Sequence, residues 1–465
     1  MSRGPNSLIV SMKRATIIIL AVIVAAVAVW CLWHMAADRG HRTFDLARME
    51  KADRAVMRAI KDGQTPGAVL CVVKRADDGE SMGDILYLKA YGNMQVCSGR
   101  DTVSGELIPD TVAMTTDAIF DLASVSKCLG TTLAFMRLVE DGLVRLDDNV
   151  SRYIPGFEPW VEDLSPREQR RQKRSPERVP ITVKQLLTHT SGLPAAIHVP
   201  SFLARYDIYG DSVKINYRDS LVTYLAHDAA RLSRPGEVFR YSCLNFITLQ
   251  AILENVTGER LDRYAAREIY EPLHLKNTWY NALDDVERPY AADAPIVPTE
   301  VQEDGTLLRG EVHDPTARIV NRGVSGNAGL FSTAEDMATL ASMLMNGGVV
   351  AFPVEGIAGK LGQKERVRVL SRRAVETFFT VPEGYEEFGR ALGWDVESPY
   401  ASGNGDLFTP HRTVNHTGYT GPSIVMDLDE GVAVILLTDR VHPYDTGSVG
   451  RLRIEIADIV ASALD

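Results

Sequence analysis

A serine and a lysine three residues apart are the side chains in this sequence best suited to covalent chemistry. Ser124 and Lys127 lie in the stretch 119–127, which leads into the apolar helical segment 129–139. Residues three apart on a helix share one face, so the hydroxyl and the amine are expected to be neighbours. The helix dipole favours negative charge at Ser124, and burial of Lys127 favours loss of its proton near neutral pH. The spacing predicts a serine nucleophile activated by a lysine base.

The same spacing also has a structural explanation. A serine followed three residues later by a lysine arises by chance in most long chains, and a serine at a helix start commonly serves as an N-cap. The assignment of Ser124 and Lys127 therefore depends on further motifs that supply the other groups of such a site.

Two later segments supply those groups. Tyr241 begins the segment 241–243, Tyr-Ser-Cys, and His416 begins the segment 416–418, His-Thr-Gly. A phenol has an unperturbed pKa of about 10, so Tyr241 needs a neighbouring cation such as Lys127 to move protons at neutral pH.

Taken in order, the three segments resemble the motifs of the β-lactamase-related serine hydrolases. That family includes class C β-lactamases, low-molecular-mass penicillin-binding proteins with D-alanyl-D-alanine carboxypeptidase activity, and related esterases. The resemblance extends over roughly residues 50–465. Further segments that support it are 187–193, Pro235-Gly236, 256–258, Pro272-Leu273 and 329–333.

The resemblance assigns roles to the residues of the three motifs. Tyr241 is expected to be the general base or proton shuttle, and the backbone N–H groups of Ser124 and Tyr419 are expected to form the oxyanion hole. The residues expected to bind substrate are His416, Thr417, Gly418, Cys243 and Asn245. The segment 189–192 is interpreted as a loop that shapes the site.

The second and third motifs depart from the family pattern at two positions. Cys243 stands where the family has a carboxylate or an amide, and a thiol is a weak hydrogen-bond partner. Asn245 is a candidate substitute, although a helix would turn it about 200° away from position 243. His416 stands where β-lactamases have lysine and is only partly charged near neutral pH, so it should bind a substrate carboxylate less firmly.

Ser325 is an alternative candidate for the catalytic serine. The segment 323–327 nearly matches the nucleophile elbow G-x-S-x-G of α/β-hydrolases, with acidic residues and His416 following in the appropriate order. Asn327 breaks the motif, and no convincing strand precedes Ser325. The segment is more simply interpreted as a loop near the site that precedes a helix at 334–345.

The resemblance implies an α+β fold, in which an antiparallel β-sheet is flanked by helices and carries an inserted all-helical domain. The hydrophobic pattern agrees with it. A helix is predicted at 44–61, and helical signals dominate 119–283. Strand signals occur at 68–73, at 85–91 before the closing Gly92, at 423–426 and at 432–437, and a final helix is predicted at 450–464.

The domain boundaries follow from this pattern. Residues 43–118 are expected to form the first part of the sheet domain and residues 119–300 a mainly helical domain that carries Ser124, Lys127 and Tyr241. Residues 301–465 are expected to complete the sheet domain with the third motif.

The N-terminal segment 1–42 is expected to be a membrane anchor. Basic residues precede the uncharged stretch 15–33, which is long enough to span a bilayer at about 20 residues per crossing. Residues 15–35 are therefore predicted to contact lipid, with the N-terminus cytoplasmic and the body outside the cytoplasm. Cleavage as a signal peptide is the alternative, and it would leave a soluble protein in the same compartment.

Composition limits the remaining possibilities. The 465 residues carry a formal net charge of −11, which argues against nucleic acid as a partner. The sequence has no zinc-type spacing and no phosphate-binding glycine loop, so no metal or other cofactor is expected. Cys71 and Cys97 could form a disulfide or remain buried thiols, and the basic run 167–178 is interpreted as a solvated loop.

The sequence therefore predicts an envelope-anchored, cofactor-free acyl-serine hydrolase in the bacterial cytoplasmic membrane. A D-alanyl-D-alanine carboxypeptidase or related peptidoglycan peptidase is the preferred assignment, with a peptidoglycan peptide or another small acyl compound as substrate. An esterase or weak class C-like β-lactamase on the same site is the alternative, and a non-catalytic cell-wall-binding relative stays open because of Cys243.

Overall fold

A computed structural model describes residues 44–206, 217–353 and 364–464. The strands are β1 (Gly67–Lys74), β2 (Asp84–Arg100), β3 (Leu107–Ala113), β4 (Phe120–Asp121), β5 (Trp160–Val161), β6 (Arg178–Val179), β7 (Trp279–Tyr280), β8 (Leu330–Ser332), β9 (Val349–Pro353), β10 (Lys364–Arg368), β11 (Thr413–Thr417), β12 (Ser423–Asp427) and β13 (Val432–Thr438). The α-helices are α1 (Leu46–Lys61), α2 (Leu133–Glu140), α3 (Pro166–Gln172), α4 (Val183–Leu187), α5 (Val199–Arg205), α6 (Tyr217–Thr223), α7 (Cys243–Thr257), α8 (Leu261–Ala265), α9 (Ala334–Met345), α10 (Arg372–Phe379) and α11 (Gly450–Ala461).

The main sheet joins the two ends of the described chain. Its six antiparallel strands lie in the order β11–β12–β13–β1–β2–β3, so that β1 pairs with β13 on one side and with β2 on the other. Both central strands are apolar and buried, as expected for strands covered on both faces. The predicted α+β fold with an antiparallel sheet flanked by helices is confirmed.

One face of the sheet is covered by the first and last helices. α1 packs against α11. Their buried side chains form one core with the residues of β1 and β13 that point to this face of the sheet. Val56 is fully buried there, which contributes about 1.5–3 kcal/mol. Leu46, the first residue of α1, is 60% exposed, because the buried face of the helix is made up of Met49, Ala52, Ala55, Val56 and Ala59.

The opposite face carries α9 and the main hydrophobic core. α9 packs on β1 and β13, and its bounds match the prediction of 334–345. Its N-terminus is capped by the Thr333 side chain, which accepts a hydrogen bond from the Asp336 amide. This core continues into the helices around the predicted nucleophile, so the sheet and the site share one packed interior.

Some local expectations differ from the structure. β2 does not end at Gly92 but continues to Arg100, because residues 93–100 pair with β3 after the ladder with β1 ends at the Gly67–Gly92 pair. The segment 119–300 is not purely helical, since β4 and β7 pair with β8 in a small sheet. The domain boundaries themselves stay predictions.

The basic run 167–178 is only partly a loop, because residues 167–172 are helical and residues 173–177 are irregular. Ser165 and Glu168 make a capping box at the start of α3, and its arginines lie on an exposed surface. Cys71 and Cys97 are both buried free thiols and form no disulfide. Burial raises the pKa of Cys71 to about 12.

The predicted membrane anchor lies outside the described residues. Within residues 44–206, 217–353 and 364–464, none of the helices combines the length and the apolar character needed to cross a bilayer.

Candidate active site

The predicted nucleophile is presented on a strained turn. β4 ends at Asp121, a 3₁₀ turn covers Ala123–Val125, and a π-helical turn, Lys127–Thr132, leads into α2. Ala123 has a positive φ of 45°, and its amide donates to Oδ1 of Asp121 at 2.8 Å. Strained backbone and π-helical turns both recur at functional sites. Ser124 is thereby held half-exposed between buried neighbours.

The serine and the lysine face each other. Nζ of Lys127 lies 2.9 Å from Oγ of Ser124. Lys127 is fully buried, and its amine also donates to the carbonyl of Asn327 at 2.9 Å and contacts Sγ of Cys243 at 3.6 Å. None of the carboxylates in the described part of the chain forms a salt bridge with Lys127, so its partners are a hydroxyl, a carbonyl and a thiol.

Tyr241 completes this group. Its hydroxyl is within hydrogen-bonding reach of both Ser124 and Lys127, and Nζ of Lys127 lies 5.1 Å from the ring centroid. The ring stacks on His189, with 4.4 Å between centroids. His189 has a positive φ of 56° and is fully buried, in agreement with the prediction that its loop shapes the site.

The electrostatics of the pair correct one expectation. Burial by itself lowers the pKa of Lys127, but interactions with Cys243 and Tyr241 act in the opposite direction, and the pKa lies above its ordinary value. Burial also raises the pKa of Tyr241, and the Lys127 ammonium offsets only part of that rise. Both directions oppose the expected loss of the lysine proton near neutral pH in the resting site.

The two candidate residues after Tyr241 have different surroundings. Cys243 begins α7 and reaches Lys127, whereas Asn245 is fully buried behind the site. The Asn245 amide bonds to Nδ1 of His189 at 3.2 Å and accepts from Ser191 at 2.5 Å. Asn245 is not among the residues that line the cleft, because the turn of α7 directs its side chain to the 189–192 loop.

The third motif lies at the end of β11, beside the nucleophile turn. A Cβ on Gly418 would come within 2.6 Å of the Leu122 carbonyl oxygen, so only glycine allows this approach. Arg453 of α11 donates to the carbonyls of Gly418 and Gly421 at 2.9 and 2.6 Å and fixes the following turn. Tyr419, the residue after Gly418, lines the same cleft as Ser124, and the oxyanion hole formed by their backbone N–H groups stays a prediction.

The side chains of the motif are placed as follows. His416 is buried, and Thr417 at the strand end is half-buried. His416 donates from Nδ1 to the Thr417 carbonyl at 3.0 Å, and its Nε2 accepts from Arg390 at 3.2 Å. Burial and then the Arg390 charge place the pKa of His416 well below its usual range. His416 is therefore neutral, and not partly charged as expected.

These residues surround a cleft of about 270 Å³. It is lined by Ser124, Tyr241, Arg390, Asp395, Tyr400, Asn415, His416, Thr417, Gly418, Tyr419, Arg440 and Arg453. Five of these residues were not predicted from the sequence, because their approach to the cleft depends on tertiary contacts: Arg390, Asp395, Tyr400, Arg440 and Arg453. A larger groove of about 960 Å³ is lined by residues such as Asp78 and Arg372 and contains none of the predicted site residues.

The alternative serine is not accessible. Ser325 is fully buried, and its hydroxyl donates to Oδ1 of Asn327 at 2.7 Å while accepting from Asn321. The segment 323–327 thus holds in place the Asn327 carbonyl, which accepts a hydrogen bond from the Lys127 amine. An α/β-hydrolase elbow is excluded at this position, because the hydroxyl points into the interior.

Comparisons with known proteins agree with this geometry. The chain is 31% identical over 415 residues to an N-acetylmuramyl-L-alanine amidase of Bacillus subtilis, covering 86% of this chain and 82% of the relative. It is 29% identical to a putative D-alanyl-D-alanine carboxypeptidase of Escherichia coli K12, covering 86% and 84%.

A similar solved structure is EstCE1, described as a hydrolase with promiscuous acyltransferase activity. It superposes with a TM-score of 0.60 at 22% identity, covering 90% of this chain and 99% of that protein, and shows the same fold. The family model named Beta-lactamase matches residues 52–458. The chain accordingly belongs to the Beta-lactamase family of serine hydrolases.

Proposed function

We propose that this protein is a serine acyl-hydrolase that works through an acyl-enzyme on Ser124. The observation that carries the proposal is the 2.9 Å contact between Nζ of Lys127 and Oγ of Ser124, with the Tyr241 hydroxyl in reach of both. Such a group can withdraw the serine proton while the serine attacks a carbonyl carbon.

The base in this proposal is the Lys127–Tyr241 pair after loss of one proton. The pair takes the Ser124 proton as Oγ bonds to the substrate carbonyl carbon, and it then protonates the departing amine or alcohol. A water molecule attacks the acyl-enzyme by the reverse sequence, releasing the acid and restoring Ser124. The backbone N–H groups of Ser124 and Tyr419 stabilise the oxyanion, an interaction typically worth about 2.7–4 kcal/mol per donor.

A peptidoglycan peptide is the proposed substrate, in a D-alanyl-D-alanine carboxypeptidase or related peptidase reaction. The names of the amidase and carboxypeptidase relatives support this class. The cleft supports it as well, because the lining Arg390, Arg440 and Arg453 outnumber the lining Asp395 and the nearby Asp445. Of these arginines, Arg453 is the one without a salt bridge within the described residues, so its positive charge favours an anionic group on the substrate.

An esterase or weak β-lactamase activity is the second candidate. It is favoured by neutral His416, since a third motif without a cation does not require a carboxylate on the substrate. The relative with promiscuous acyltransferase activity fits the same possibility.

We further propose that residues 15–35 anchor the protein in the cytoplasmic membrane with the hydrolase body on the extracytoplasmic side. This location would bring the cleft to the cell wall. The uncharged run 15–33 and the basic residues before it support the proposal.

Acylation of the full-length chain by a fluorescent penicillin tests the function. A lasting adduct on Ser124, together with release of D-alanine from a D-Ala-D-Ala peptide, supports the wall peptidase. Rapid turnover of the penicillin indicates a β-lactamase, and hydrolysis of a p-nitrophenyl ester alone indicates an esterase. Absence of any adduct or turnover would contradict the hydrolase proposal, and Ser124→Ala serves as the unreactive control.

A further inference from the structure

A buried ion pair lies directly behind the third motif. Nη1 of Arg390 lies 2.7 Å from Oδ2 of Asp395, and the two side chains are 1% and 3% exposed. Charges so fully removed from water are costly unless they are paired and hydrogen-bonded, so the surrounding structure must hold them. Neither residue belongs to the three sequence motifs.

Asp395 is fixed to the strand that carries His416. Its backbone N–H donates to the Asn415 carbonyl at 3.0 Å and its carbonyl accepts from the Asn415 amide at 2.8 Å. Its carboxylate accepts from the Ser398 hydroxyl and amide at 2.7 and 3.1 Å. The carboxylate therefore has a defined position relative to β11, and it orients the Arg390 guanidinium.

Arg390 in turn contacts two side chains of the site. Its Nη2 donates to Nε2 of His416 at 3.2 Å, and its Cζ lies 5.8 Å from the centroid of the Tyr241 ring. Nε is buried and finds no hydrogen-bond partner among the described residues. The guanidinium thus joins the Asp395 carboxylate to the His416 ring and lies beside the Tyr241 ring.

We infer that Arg390, held by Asp395, is a positioning residue for the third motif. It fixes His416 as a neutral side chain that accepts at Nε2 and donates at Nδ1 to the Thr417 carbonyl. The segment then contributes hydrogen bonds, and no cation, to substrate binding. This inference deepens the proposed function and rests on it.

The charged surroundings of His416 support a neutral ring. The cations that act on it are Arg390, Lys127 and Arg453, and the Tyr241 ring lies 6.2 Å away. Asp395 lies beyond Arg390 and is already neutralised by it. A proton on Nε2 would also remove the acceptor that Arg390 uses, because a protonated imidazole has two donors and no acceptor.

Histidine-selective ¹⁵N NMR of the full-length chain tests the inference between pH 5 and 8. The His416 signals are assigned by comparison with His416→Gln among the ten histidines. The expected result is a neutral Nδ1–H tautomer throughout this range in the wild type and in Arg390→Lys, which keeps a cationic donor. A wild-type His416 that titrates near its ordinary pKa of about 6.5 would overturn the inference.

The double variant Arg390→Met with Asp395→Asn removes the donor without leaving an unpaired buried carboxylate. His416 should then change tautomer or begin to protonate, and the pH profile of kcat/KM should gain an ionisation that the wild type lacks. Unchanged His416 signals would contradict the positioning role. The NMR result is independent of turnover, so loss of the proposed function and loss of this inference can be distinguished.

Discussion

Nζ of Lys127 lies 3.6 Å from Sγ of Cys243, so the buried amine meets a thiol where the family resemblance leads one to expect a carboxylate or an amide. The site can still assemble, because the Ser124 hydroxyl and the Asn327 carbonyl supply the oxygen partners of the amine. Cys243 therefore changes the charge balance of the site more than its geometry.

Replacement of Cys243 by a carboxylate should leave less of the pair in its proton-accepting form at neutral pH. In Cys243→Asp, a negative charge near the amine favours the ammonium and should raise the apparent pKa of the pair by about 1–3 units. Cys243→Asn is the matched control, since its amide carries no charge. The measurement is kcat/KM against pH for both variants; equal profiles would mean that Lys127 does not sense position 243.

The unmodified enzyme should become more active as the pH rises. The pKa values of Lys127 and Tyr241 both lie above their ordinary values, so the proton-accepting form of the pair is scarce at neutral pH and grows on the alkaline side. Acid should therefore suppress kcat/KM, and the midpoint should lie above pH 7. A profile that is flat from pH 6 to 9 would show that the pair is not the base.

The sequence predicted what local spacing determines. The neighbouring positions of Ser124 and Lys127 follow from helical geometry, and the central strands follow from their apolar runs. Arg390 was not predictable, because it lies 26 residues before His416, in an irregular loop, and is recruited by an ion pair that no short pattern encodes. The pKa direction of Lys127 was not predictable for a related reason, because it depends on Cys243 and Tyr241, which approach the amine only in the folded chain.

Gly418 should tolerate no side chain. In Gly418→Ala the new Cβ would lie 2.6 Å from the Leu122 carbonyl oxygen and 3.3 Å from Cβ of Ala123, and backbone atoms cannot easily yield. The variant should lose about 1–3 kcal/mol of stability and about 10²-fold in kcat/KM, because the third motif moves away from Ser124.

Gly450→Ala is the control for that substitution. A Cβ at Gly450, the first residue of α11, has open space around it, and alanine is the better helix former. Thermal unfolding should show equal or slightly higher stability with unchanged activity. If Gly418→Ala behaved the same way, the close approach of β11 to the nucleophile turn would be wrong.

Removal of one phenol oxygen should separate catalysis from packing. Tyr241→Phe keeps the ring that stacks on His189 but deletes the hydroxyl in reach of Ser124 and Lys127. We expect kcat to fall about 10²–10⁴-fold, the usual contribution of a general acid–base group, with little change in the unfolding temperature.

Tyr153→Phe is the control, since it loses a comparable hydroxyl, which donates to Asp148 at 2.6 Å, outside the residues that line the cleft. It should cost about 1 kcal/mol of stability and leave kcat unchanged, because that hydroxyl only stabilises the fold. Equal kcat values for the two variants would remove Tyr241 from the proton path and leave Lys127 as the sole base.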